Sequence, residues 1–164
     1  MKDNAVFKIG VLIEHRNQLV LIKEKKKRDG KYYWNFVKGT FEVEKDKDFF
    51  ATAYREAAEE ANAKIRITHL VNILSFKKDG VARIQFNFIA ELIGKSFGLS
   101  KKANQKKFRE DGSEDIIDIR LFSKKELRNM KRSEFIGERT YQTIHDWLKG
   151  KKHPLDVLRI LNKS

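Results

Sequence analysis

Apolar residues in this chain fall into two spacings. Residues 6–14 (VFKIGVLIE) and 18–24 (QLVLIKE) are almost unbroken aliphatic runs. Runs of that length on either side of His15-Arg16-Asn17 predict an antiparallel hairpin. Residues 32–37 read as a short aromatic strand, and residues 64–76 as a longer one with a bend. In residues 81–92 the alternation is regular, with Ala82, Ile84, Phe86 and Phe88 on one face. A turn at 77–80 ending in Asp79-Gly80 joins those two strands. Residues 115–122 (DIIDIRLF) predict another strand. The period changes to that of a helix over residues 47–61 and again over 134–148, where Gly137, Tyr141, Ile144 and Leu148 share a stripe. Ser123 with Glu126 forms a capping box for a short helix reaching 129. Pro154 is placed to start a last short helix over 154–161. The order β-β-β-α-β-β-loop-β-α-α predicts an α/β fold, a mixed sheet with helices on both faces. Without repeats or a linker, one domain over residues 1–164 is expected.

The first long helix is unusual in its polar face. At about 100° per residue, Arg55, Glu56, Glu59 and Glu60 lie together, while Phe50, Ala53, Tyr54, Ala57 and Ala61 face the other way. The apolar side is suited to packing on the sheet. Three carboxylates so close repel one another unless a cation sits among them. A hard divalent ion takes oxygen ligands and relieves that repulsion. The plain alternative is a charged surface helix. Upstream, Gly39 supplies a flexible backbone at a strand end, and Asp46 or Asp48 can cap the helix.

The stretch from Trp34 to Ala63, WNFVKGTFEVEKDKDFFATAYREAAEEANA, resembles the Nudix box, G-x5-E-x7-R-E-U-x-E-E-x-G-U with U apolar. Gly39 matches the first glycine, and Arg55, Glu56, Ala57, Glu59, Glu60 and Ala63 match the core. Trp34 to Gly39 is similar to the W-x-x-P-x-G lead-in of that family. The departures are specific. Gly39 and Arg55 are two residues further apart than in the pattern, so an insertion lies in 43–48. Lys45 stands where the pattern has Glu, with Glu44 as an alternative donor. Asn62 replaces the last Gly; Asn tolerates the left-handed conformation better than most residues, so a helix C-terminal turn can survive. Val37 replaces Pro, and Lys38 the first of two paired glycines.

The resemblance implies an α/β/α sandwich and a Mg2+- or Mn2+-dependent hydrolase that cleaves the pyrophosphate bond of a nucleoside diphosphate linked to a group X. X could be phosphate, a sugar, a second nucleotide or a capped RNA end. It implies Glu56, Glu59 and Glu60 as metal ligands or their carboxylate neighbours, with the carbonyl of Lys38 as a further donor. Arg55 would orient a carboxylate through its planar fork. A distant acid is also expected, and Glu114 is taken over Glu110, Asp111 and Asp115. Phe7, Tyr33, Phe41 and Phe97 are candidates to stack on a base, although most aromatics belong to the core.

Charge and composition narrow the classes. Lys and Arg number 36 against 23 Asp and Glu, a net +13 that attracts nucleotides, polyphosphates or RNA. The basic loop 25–31 and the lysine-rich stretch 93–113, expected to be mobile, are where substrate selection would lie. With no cysteine there is no thiolate nucleophile, disulfide or zinc–cysteine site. The four histidines show no metal-ligand spacing. No apolar run approaches the ~20 residues of a membrane helix, and no leader is expected, so the chain is placed in the cytoplasm. The sequence leaves the oligomeric state open. A second reading is a degenerate Nudix-like module that binds RNA or a nucleotide without cleaving it, motivated by Lys45, Asn62, the insertion and the charge. A third, an interaction protein using its C-terminal helices, rests on their amphipathic pattern alone.

Overall fold

The computed structural model describes residues 5–99 and 116–161. The Glu114 expectation and most of the 93–113 loop lie outside the described residues. Among the described residues, strands β1 (Val6–His15), β2 (Gln18–Lys25), β3 (Tyr32–Asn35), β4 (Val37–Thr40), β5 (Ile65–Lys78), β6 (Val81–Leu92) and β7 (Ile116–Ser123) form one mixed sheet. Its helices are α1 (Phe49–Ala61), α2 (Lys124–Asn129) and α3 (Glu138–Leu148). The expected α/β/α sandwich is the observed architecture.

β1 is the pivot. One edge runs parallel to β6 from Val6 to Glu14. The other edge is divided: Lys8 to Val11 pair with β4, and Ile13 to His15 pair with β2. β2 then carries β3 and β7. Because β2 and β4 share a single edge of β1, a fork opens between them. Residues 32–37, expected as one strand, are therefore two. The chain pairs with β2 up to Asn35, breaks at Phe36 and pairs with β1 from Val37. The β1–β2 turn puts Arg16 and Asn17 at φ 49° and 62°, and the β5–β6 turn puts Asp79 and Gly80 at 51° and 77°. Both turns thus use the left-handed pair that suits a tight hairpin. The bend expected in β5 appears as register shifts between Ile67 and His69 and between Leu70 and Asn72.

The unbroken apolar run of β1 reflects burial on both faces. Ile9, Val11 and Ile13 join Ala53, Ala57 and Ala61 of α1 in one core, while Leu12 joins Ile144 and Trp147 of α3 in the other. α1 meets the sheet through alanines, which lets its backbone approach closely. Tyr54, expected on that apolar side, is instead 46% exposed. Beneath α3, Asn87 Nδ2 donates to Asn72 Oδ1 at 2.7 Å, and Asn72 Nδ2 donates to Asp146 Oδ2 at 2.8 Å.

Two C-terminal expectations change. α3 begins at Glu138 rather than 134, because Phe135 is drawn into the core beside Trp34 and the Ile136 N–H donates to the Trp34 carbonyl at 3.1 Å. The last helix is a single 3-10 turn, Leu155–Val157. Two main-chain bonds between Leu70 and His153, 2.8 and 2.9 Å, hold the approach to it extended. Among the described residues no helix is long and apolar enough to cross a membrane.

Gly10 leaves no room for a side chain on the α3-side layer. A Cβ there would lie 2.1 Å from Asn87 Oδ1 and 2.6 Å from Phe36 Cε2. Gly10→Ala is expected to destabilise the fold by about 1–3 kcal/mol in urea unfolding, the usual range for overpacking. An unchanged midpoint would show that this layer yields.

Candidate active site

The site is built where β4 runs beneath α1. Asp48 caps α1, its carboxylate accepting the Ala51 N–H at 2.8 Å. At the other end Asn62 takes φ 47°, ψ 38°, the left-handed conformation expected of it. The Asn62 N–H donates to the Ala58 carbonyl at 3.2 Å, and the Ala63 N–H to the Ala57 carbonyl at 3.1 Å, closing the last turn. The loss of the motif's glycine therefore leaves the helix end intact.

Asp46 takes a different role from Asp48. Arg55 Nε donates to Asp46 Oδ1 and Arg55 Nη2 to Asp46 Oδ2, both at 2.8 Å, a two-pronged ion pair. The Glu42 N–H and the Thr52 hydroxyl complete the cage around Asp46 Oδ2, at 3.1 and 2.9 Å. The acid ahead of the helix that meets Arg55 is therefore Asp46. Glu44 is exposed, and Lys45 pairs with Glu42 at the surface. Arg55 also reaches the Thr40 carbonyl at 3.1 Å, Glu56 Oε1 at 2.6 Å and Glu59 Oε2 at 3.4 Å. One guanidinium thus ties the inserted loop, the end of β4 and two of the three glutamates together.

The three glutamates differ in setting. Glu56 is 8% exposed and lies against Gly39, where a Cβ would fall 1.8 Å from Glu56 Oε1. Only glycine leaves room for that carboxylate. Burial pushes the Glu56 pKa above the ordinary glutamate range, against the pull of Arg55. Glu60 Oε2 accepts the Lys38 N–H at 3.1 Å. Glu59 is half-buried beside Arg55. Among the described residues, no group of three His, Asp or Glu side chains stands ready to enclose a metal ion.

The family model of the NUDIX domain matches residues 5–144. The chain belongs to the NUDIX domain family. Structures with the same fold include a NUDIX hydrolase from Nitrosomonas europaea, at 20% identity and a TM-score of 0.77, over 98% of this chain and 100% of that one. A MutT protein from Methanosarcina mazei Go1 matches at 14% identity and TM-score 0.65, over 93% and 99% of the two chains. A UDP-X diphosphatase matches at 15% identity and TM-score 0.60, over 92% and 66%. At such identities the likeness is one of fold. Comparison with curated proteins gives no match. The reaction class follows from the NUDIX membership: the chain is a Nudix-type pyrophosphohydrolase.

Other candidates are dispersed. Phe7 and Phe41 pack on Phe49 with ring centroids 5.5 and 5.0 Å away, and Phe97 lies against the α1-side core. Tyr33 donates its hydroxyl to Asp29 in the basic loop at 2.8 Å. One buried acid escaped the sequence reading altogether: Glu24 on β2, whose carboxylate accepts from Asn35 Nδ2.

Asp46 titrates at about 2, held down first by the Arg55 hydrogen bonds, against the opposing effect of its burial. A depressed carboxylate stabilises the fold above its unfolded value of about 3.8, and that contribution fades as pH falls through about 2. Asp46→Asn is expected to cost about 2 kcal/mol in urea unfolding at pH 6. The gap from the wild type should narrow as the pH is lowered towards 2; a gap independent of pH would contradict the pairing.

Proposed function

We propose that this protein hydrolyses the pyrophosphate bond of a nucleoside diphosphate linked to X, using Mg2+ or Mn2+ held by the acidic face of α1. The observation that carries the reading is Glu56, a carboxylate buried against Gly39 and held there by Arg55. The donor set fits a hard divalent cation: carboxylate oxygens of Glu56, Glu59 and Glu60, with the Lys38 carbonyl on the adjacent strand. Glu114 remains the proposed fifth donor. When bound, such an ion would neutralise charge on phosphate oxygens and acidify water.

The chain's own residues do the rest. Arg55 holds Glu56 and Glu59 on the metal-facing side of the helix while its other edge is committed to Asp46. It is thereby an orienting group rather than a phosphate contact. The Lys38 N–H fixes one oxygen of Glu60 against β4. A UDP-X diphosphatase among the structural neighbours supports the nucleotide-linked class, as does the +13 charge. The RNA-binding alternative makes no use of the buried carboxylate.

Glu60→Gln is expected to lower turnover at least about a hundredfold on whichever member of a panel of nucleoside triphosphates, nucleotide sugars, dinucleotides and capped RNA the wild type cleaves. Mg2+ or Mn2+ should raise the melting temperature of the wild type over an EDTA control, and do so less in Glu56→Gln. A wild type that releases no phosphate or nucleoside monophosphate from the whole panel with either ion would rule the reading out.

A further inference from the structure

Lys38 stands where the motif would have a glycine. Its main chain touches the acidic helix through Glu60. Its side chain turns to another partner, with Nζ 3.8 Å from Glu24 Oε1. Glu24 is fully buried, although Leu21 and Ile22 just before it on β2 are apolar core residues. A buried carboxylate is costly unless it is paired and hydrogen-bonded, so its presence in a strand core calls for a cause. Here the pairing runs through the fork between β2 and β4. Asn35 Nδ2 donates to Glu24, while Asn35 Oδ1 accepts the Phe36 N–H at 3.0 Å and the Thr140 hydroxyl of α3 at 2.8 Å. This chain of contacts anchors Glu24 from the opposite layer of the sandwich. The Lys38 side chain keeps 21% of its surface in solvent, against 1% for Glu24. The pair thus has its anion locked inside and its cation at the surface, one side-chain length from the strand backbone that holds Glu60.

We propose that the Lys38 ammonium binds a phosphate oxygen of the pyrophosphate substrate, and that Glu24 is a positioning residue that holds the ammonium there. A lysine is a flexible point charge with three donors. Tethered by a rigid carboxylate, it has less freedom to lose on binding. The contact lies outside the carboxylate face: side chains alternate along β4, and Gly39 turns towards Glu56 while Lys38 turns towards Glu24. The proposal rests on the hydrolase reading for its substrate, while its test does not require turnover.

Methylene diphosphonate, a pyrophosphate mimic that cannot be hydrolysed, is titrated calorimetrically into the full chain with Mg2+ present. Wild type, Lys38→Met, Lys38→Arg, Glu24→Gln and the Glu24→Gln/Lys38→Met double variant are compared, with melting temperatures recorded alongside. Lys38→Met is expected to weaken binding about tenfold to a hundredfold, the range for a lost charge-assisted contact. Lys38→Arg should recover part of it. Glu24→Gln should weaken binding in the wild-type background and change nothing further in Lys38→Met, the non-additivity of a shared contact. The proposal is overturned by a wild type that does not bind the diphosphonate, by unchanged affinity in Lys38→Met, or by a Glu24→Gln loss that persists in Lys38→Met. A protein that binds as expected yet cleaves no nucleotide fails the hydrolase reading alone.

Discussion

The Arg55–Asp46 ion pair holds the site together. Three glutamates on little more than one turn of α1 repel, and Glu56 is also withdrawn from water. Arg55 offsets part of that repulsion from the helix itself, and Asp46 prevents the guanidinium from swinging out to solvent. The same guanidinium reaches the Thr40 carbonyl, so helix, loop and strand are locked in one relation. Even so, this compensation is partial: one guanidinium faces Asp46 and two of the three glutamates.

The fold supplies the platform. β1 is buried on both faces and shared among three neighbours, which makes it rigid. α1 packs on it through Ala53, Ala57 and Ala61, and this close approach brings Glu56 down onto Gly39. A larger residue at any of these positions would lift the helix and separate the carboxylate from the strand. The divided edge of β1 opens the fork in which Asn35 and Lys38 both reach Glu24.

Much of this was legible in the residues. The doubly buried strands announce themselves as unbroken apolar runs, and the spacing of Arg55, Glu56, Glu59 and Glu60 places them on one face without knowledge of the fold. Asn62 ends the helix as its chemistry suggests. Other features depend on the path of the chain in space. Asp46 and Asp48 are interchangeable in sequence, and only the course of the inserted loop gives Asp48 to the helix N-terminus and Asp46 to Arg55. The break at Phe36 follows from a change of pairing partner, which no local pattern encodes. Glu24 is a lone acid in a strand, and its partners Asn35, Lys38 and Thr140 come from three other elements. The last segment has a helix-starting proline, but its main-chain pairing with Leu70 outweighs that weak local preference.

The central claim is that the acidic face of α1 gathers around a divalent cation. An anomalous difference map from a crystal soaked in Mn2+ tests it most directly. The account predicts a strong peak at about 2.0–2.3 Å from carboxylate oxygens of Glu56 and Glu60, with Arg55 still paired to Asp46. A map with no manganese at those carboxylates, or with manganese only at other places on the surface, would contradict it.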